Sequence, residues 1–234
     1  MNIYRVIGLM SGSSLDGLDI VHAHICENGG IWTYEIMAAD TFPLGEQWVA
    51  RLKNMPAADA MQLCKAAVDL AYYFGTLVRE FVNLYHLEGQ VDVIGSHGHT
   101  IFHFPSKGFT TQISNGQALA VATGLPVVSN FRVADVAAGG QGTPIVPIGD
   151  LLLFDKYRFC LNIGGIANVS AKTEKSIVAF DVCAANQLLN ALANQLGKEY
   201  DENGELAGKG TICNSLLAEL NSLAYFSAPY PKSL

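Results

Sequence analysis

Residues 4–25 read YRVIGLMSGSSLDGLDIVHAHI: an apolar, β-prone run from Arg5 to Met10, a turn of serine, glycine and aspartate, and a second apolar-rich run from Leu18 to Ile25. Two such runs split by small polar residues predict a strand, a tight turn and a strand. The period then changes. Between residues 45 and 86, Trp48, Leu52 and Met55, then Met61, Ala66, Val68, Leu70, Phe74, Val78, Phe81 and Tyr85, recur at roughly helical spacing with a break near Pro56, which predicts one short and one long helix. Val91 to Ile94 is a compact apolar run ending in Gly95-Ser96-His97-Gly98. Thr111 to Ile113 is a further short strand before Asn115-Gly116 and a helix through Ala122, and Val127-Val128 opens a strand that ends at Phe131-Arg132. Strands alternating with helices predict an α/β fold with a mixed or parallel sheet. The segment from Ala137 to Pro144, AAGGQGTP, holds neither a helix nor a central strand and is expected to be a loop.

The opening pattern returns late in the chain. Tyr157 to Gly165 (YRFCLNIGG) is again a β-run entering a small-residue turn, followed by a further β-run. Two related halves are therefore expected, residues 1–155 and 156–234, each beginning with a hairpin whose turn lets the backbone approach something closely. Since 77 residues follow Tyr157 against 156 before it, the second half is expected to be cut short.

The composition narrows the function classes. Half of the 234 residues are hydrophobic, ample for a packed core. Fourteen basic against 21 acidic residues give a net charge of −7 without a basic cluster, so nucleic acid is not an expected partner. The apolar run at the amino terminus is too short for a signal peptide or a membrane span, which predicts a cytoplasmic protein without a membrane partner. Cys26, Cys64, Cys160, Cys183 and Cys213 are scattered without a CxxC pair and are expected to be free thiols.

Five places carry chemistry. The turn from Gly12 to Asp19 offers backbone N–H groups and hydroxyls to phosphate oxygens, with Asp16 or Asp19 able to hold Mg²⁺ directly or through water. The same residues equally suit an ordinary hairpin with an Asp-Gly turn. Asn162 to Asn168 (NIGGIAN) is a second uncharged turn, with Gly164 and Gly165 suited to phosphate, and also readable as a plain hairpin. Facing one another across a cleft, the two turns would clamp a nucleotide's phosphates. Asp181 follows the apolar run from Ser176 to Phe180 and is expected at a strand's carboxyl end, either as a base or as the cap of a helix starting near Ala184 with Asn186 in the turn. In the histidine cluster from His97 to His103, His97 and Thr100 suit a polar sugar pocket, the i and i+4 spacing of His99 and His103 suits a metal although HExxH is absent, and structural histidines are the competing reading. Arg132 can hold a carboxylate in bidentate fashion or pair with Asp135.

Taken together, MSGSSLDGLD (10–19), GSHGHT (95–100), NFRVADVAAGGQGTPIVP (130–147), LNIGGIANV (161–169), Asp181 with Asn186, and Pro231-Lys232-Ser233 resemble the anhydro-N-acetylmuramic acid kinase family over the whole chain. The resemblance implies an actin-like ATPase fold of two RNase-H-like domains binding ATP and Mg²⁺, the second domain truncated here. It implies that Gly12, Ser13, Ser14, Leu15, Asp16, Gly17, Leu18 and Asp19 contact the phosphates and metal. Asp181 would be the general base for opening the 1,6-anhydro bridge while O6 is phosphorylated, which yields N-acetylmuramic acid 6-phosphate in cell-wall recycling. His97, Thr100, Arg132 and Asn186 would contact the sugar, and a homodimer is implied.

Two departures stand out. Where the family has Thr-Gly-Pro-Gly-Asn after the aspartate, this chain has Val182-Cys183-Ala184-Ala185-Asn186, which alters the local substrate contacts. The chain also ends at Leu234 inside a segment resembling the family's PPKSTGRE, so this polypeptide alone is expected to be inactive and to self-associate through an apolar face left uncovered. A non-catalytic, chaperone-like nucleotide binder of the same superfold is the alternative from another class. A metallopeptidase of that superfold, resting on the histidine cluster, is a third reading.

Overall fold

A computed structural model describes residues 1–12, 15–143, 145–173 and 176–232. These fall into two compact units, Met1–Ile145 and Val146–Leu234. In the first, β1 (Asn2–Ser11), β2 (Gly17–Asn28) and β3 (Ile31–Pro43) form an antiparallel meander. The predicted pair of helices follows as α1 (Glu46–Asn54) and α2 (Ala60–Leu84), separated by a single 3₁₀ turn that contains Pro56. Asp59 and Gln62 form a capping box that fixes where α2 begins.

After α2 the chain returns to the sheet as β4 (Val93–Phe104), which lies parallel to β1, and β5 (Phe109–Ile113) turns back antiparallel to it. Helix α3 (Gly116–Thr123) then leads into β6 (Val127–Ser129), parallel to β4, and α4 (Val133–Ala137) precedes the glycine-rich segment. The sheet order is β3-β2-β1-β4-β5, with β6 also paired to β4: a mixed sheet with helices, as expected.

Three local readings need correction. Strand β3 was not foreseen. It is the edge strand, so most of its side chains are exposed and the apolar alternation that marks a buried strand is absent. Strand β4 does not end at Gly95-Ser96-His97-Gly98 but runs through it, because the ladder to β1 absorbs the glycine as an irregularity in register. The strand expected to reach Phe131-Arg132 stops at Ser129, since Asn130 takes a left-handed backbone, φ +61°.

One face of this sheet is dry. Ile7, Leu9, Leu18, Ile20 and Ile94 meet Leu70, Phe74, Val78 and Phe81 of α2, all nearly or completely buried. The α2 residues recur every three or four positions and so share one helical face. Three histidines are also almost completely enclosed in this unit: His22, His97 and His99. Burial holds all three below the ordinary histidine range, reinforced at His97 by the Arg132 charge. The native state therefore binds fewer protons than the unfolded chain, so stability rises with pH. Thermal unfolding followed between pH 7 and 5 is expected to show a falling Tm as the pH drops below about 6.5, with a slope of up to about 1.4 kcal/mol per pH unit for each histidine kept neutral. A flat profile would mean that these rings charge without opening the fold.

The second unit opens with α5 (Pro147–Leu153). An antiparallel meander of β7 (Phe159–Ile163), β8 (Ile166–Lys172) and β9 (Ile177–Ala184) follows. Lys172 Nζ donates to the Asp150 carbonyl at 2.6 Å and to that of Phe154, tying the end of α5 to β8. Helix α6 (Asn186–Gln195) and the short helices α7 (Glu205–Gly208), α8 (Asn214–Asn221) and α9 (Ala224–Ser227) complete the unit. No helix among the described residues is long and apolar enough to cross a membrane.

Candidate active site

Side chains alternate along a strand, so the burial of Ile7 and Leu9 turns Gly8 and Met10 to the opposite, open face of the first sheet. There Gly8, Met10, Asp19, Val21, Thr41, Gly95, His97 and Phe131 line a cleft of about 750 Å³. Gly8 pairs with Gly95, so two adjacent floor positions have no side chain and the backbone itself is the surface. A Cβ at Gly8 would come within 3.1 Å of Val21 Cγ1, and one at Gly95 within 3.6 Å of Phe131 Cζ.

The predicted phosphate turn joins β1 to β2 beside this floor. The Leu15 N–H donates to the Gly12 carbonyl at 3.3 Å, with Leu15 itself at φ +61°. Asp16 Oδ1 accepts the Gly17 N–H at 2.9 Å, and the Thr41 hydroxyl donates to Asp19 Oδ1 at 2.6 Å. Both carboxylates are exposed. The Leu18 side chain is fully buried, which leaves only its backbone for a ligand. Ser13 and Ser14 lie outside the described residues.

The structure brings His97 and Arg132 together. Arg132 Nε–H donates to His97 Nε2 at 2.8 Å, so that nitrogen is an acceptor and the ring proton is on Nδ1, 2.9 Å from the Gly98 carbonyl oxygen. Arg132 Nη1 donates to the Gly142 carbonyl at 2.6 Å. The alternative ion pair with Asp135 is corrected: that carboxylate accepts the Gly142 N–H instead. Arg132 is half-buried, and its partners among the described residues are neutral. Among the described residues two of its five N–H donors are committed, which leaves both hydrogens of Nη2 and one of Nη1 for an anion.

Thr100 lies on the same face, but His99 does not. Ser96 is opposite Leu9 and His99 opposite Ser11, so one extra residue enters β4 between them. Gly98 absorbs it at φ +74°, where a Cβ would overlap the Ile113 carbonyl oxygen. His99 is thereby turned into the interior, with Nδ1 3.0 Å from Ser11 Oγ.

In the second unit Asp181 is not at a strand end, as expected from the sequence, but inside β9 opposite Asn168. Its backbone is fixed from both sides: the N–H donates to the Lys232 carbonyl at 3.0 Å, and Tyr225 Oη donates to its carbonyl at 2.8 Å. Nor does Asp181 cap α6. The cap residue is Ala185, without a side-chain bond, and the first helix amides are taken by the turn, Asn186 N–H to Gly164 O at 3.1 Å and Gln187 N–H to Gly165 O at 3.1 Å. Gly164 and Gly165 thus direct their carbonyls at the helix, and the Asn186 side chain is exposed.

The profile of the anhydro-N-acetylmuramic acid kinase family matches residues 4–234. The chain belongs to this family. Proteins named anhydro-N-acetylmuramic acid kinase from Pseudomonas syringae and Photobacterium profundum are each 36% identical to it, covering 97% and 100% of the chain, and one from Bacillus cereus is 34% identical over 97%. The chain spans 64% of the length of each of these relatives.

Within this family member, sequence reasoning missed two groups of polar residues. Gln112 Nε2 donates to Thr110 Oγ1 at 2.8 Å, His103 Nδ1 lies 3.0 Å from the same oxygen, and Thr100 Oγ1 is 3.4 Å from Gln112 Nε2. Gln112 Oε1 is buried without a partner among the described residues. Only the alternation of Thr110 and Gln112 opposite His103 and Thr100 hinted at this stripe. The second group is a ladder: Asn162 is opposite Asn168, which is opposite Asp181, so the three share one face of their sheet. A register break beside Asn168 leaves Val182 as a bulge next to Asp181.

Proposed function

We propose that the protein transfers the γ-phosphoryl group of ATP to 1,6-anhydro-N-acetylmuramic acid with opening of the anhydro ring, on an actin-like fold of two RNase-H-like units. The observation that carries this reading is Arg132: a half-buried guanidinium held by His97 and the Gly142 carbonyl, with only neutral partners among the described residues and its Nη2 hydrogens left for an anion. A muramic-type sugar carries a carboxylate of that kind. Supporting the fold, the antiparallel meander that opens the first unit recurs as β7-β8-β9.

The residues present fit a nucleotide and a magnesium ion. The Gly8 and Gly95 floor lets phosphate approach the backbone closely, and Asp16 and Asp19 offer hard carboxylate oxygens. When bound, ATP and Mg²⁺ supply the phosphoryl group and neutralise its charge.

The chain's own residues hold and orient the sugar. Arg132 takes the carboxylate, and His97, kept neutral by burial, fixes the guanidinium. Thr100 and the Gln112 amide offer hydroxyl partners. Asp181 takes a proton from the water that attacks C1 as the C1–O6 bond breaks and O6 accepts the phosphoryl group. The test is to incubate the complete gene product with ATP and 1,6-anhydro-N-acetylmuramic acid and to look by mass spectrometry for N-acetylmuramic acid 6-phosphate. Nucleotide binding without phosphosugar would favour the non-catalytic binder.

A further inference from the structure

Asp135, on α4, grips the glycine-rich segment at two points. Its Oδ2 accepts the Gly142 N–H at 2.6 Å, and its backbone carbonyl accepts the Gly140 N–H at 2.8 Å. Gly140 lies directly on the carboxylate, where a Cβ would overlap it. Gly142 takes φ +64°, and a Cβ there would lie 2.6 Å from Cγ2 of the buried Val136. Gly142 is therefore held at its N–H by Asp135 while its carbonyl receives Arg132 Nη1 at 2.6 Å. From Arg132 the chain of bonds continues to His97 on the wall of the cleft.

A bond from a backbone N–H to a carboxylate is charge-assisted and short, so it is a stiff link. Each member downstream depends on the one before. If the Gly142 peptide turns, its carbonyl leaves Arg132 Nη1, and a guanidinium held only through Nε swings about that bond and misdirects its remaining donors.

We propose that Asp135 is a positioning residue of the sugar site: by fixing the Gly142 peptide it aims the Arg132 guanidinium at the substrate's carboxylate. The inference rests on the kinase reading, and it adds a residue that touches no substrate.

The test compares wild type, Asp135→Ala and Asp135→Asn in the complete gene product, with 1,6-anhydro-N-acetylmuramic acid and with 1,6-anhydro-N-acetylglucosamine, which lacks the lactyl carboxylate. In the alanine variant KM for the acidic sugar is expected to rise about tenfold or more with kcat nearly unchanged, whereas affinity for the carboxylate-free sugar changes less than about threefold. Asparagine keeps an acceptor oxygen for the Gly142 N–H and should recover most of the loss. Amide hydrogen exchange should speed up at Gly142 in the alanine variant while α2 stays protected. Equal losses for both sugars, or no change in KM, overturn the inference while leaving the kinase reading in place. A wild type that turns over neither sugar removes the kinase reading and the inference with it.

Discussion

Asp181→Asn in the complete gene product is expected to lower sugar-dependent ATP consumption by about 10²–10⁴-fold, the usual contribution of a general base, while ATP still binds. Asparagine has nearly the same shape but accepts no proton at neutral pH. The fold around it should survive, because Asp181 is anchored through its backbone, by the Lys232 carbonyl and the Tyr225 hydroxyl, and neither bond involves the carboxylate. The measurement is a coupled assay for ADP with and without sugar, set beside a calorimetric titration with ATP. Turnover at the wild-type rate would place the base elsewhere. Loss of ATP binding together with turnover would mean that the substitution had disturbed the unit as a whole.

Phe74→Ala is expected to have the largest effect on stability. Phe74 is completely buried on the face of α2 that covers the first sheet, among Ile7, Leu70 and Val78. Truncating a phenylalanine in such a place removes its transfer energy and leaves a cavity, typically about 3–5 kcal/mol in all. Stabilities of about 5–15 kcal/mol make that a large fraction of the total. Denaturant unfolding followed by circular dichroism measures it, and a loss below about 1 kcal/mol would show that the core closes over the gap. Because the sheet is one layer thick, with the core behind it and the cleft in front, a milder variant such as Leu77→Ala should weaken ligand binding as well as stability.

Much of the first unit was legible because its signals are local. The helical period of α2, the proline between α1 and α2, and the serine and glycine turn after Met10 each act within a few residues. Strand β3 was hidden because it is an edge, where burial does not impose alternation. The residues of the candidate site were recognisable as chemical types, whereas their partners were not. Arg132 and Asp135, close in sequence, suggested an ion pair, yet both are joined to Gly142 by bonds that depend on a glycine loop folding back. Asp181 was expected at a strand end because the apolar run stops there, but β9 is carried on by pairing with β8.

The kink at Gly98 means that β4 is read in two frames. Before it, even-numbered positions such as Ile94 and Ser96 face the core; after it, His99 does, and Thr100 joins His97 on the outer side. Two histidines with one residue between them therefore have opposite surroundings, and the glycine between them acts as a frameshift written into the backbone. Straightening the strand with that residue kept would change no chemical group of the site, yet it would send the imidazole of His99 outwards and the hydroxyl of Thr100 inwards. For anyone altering this protein, the left-handed backbone at Gly98 is as specific an instruction as any side chain the strand carries.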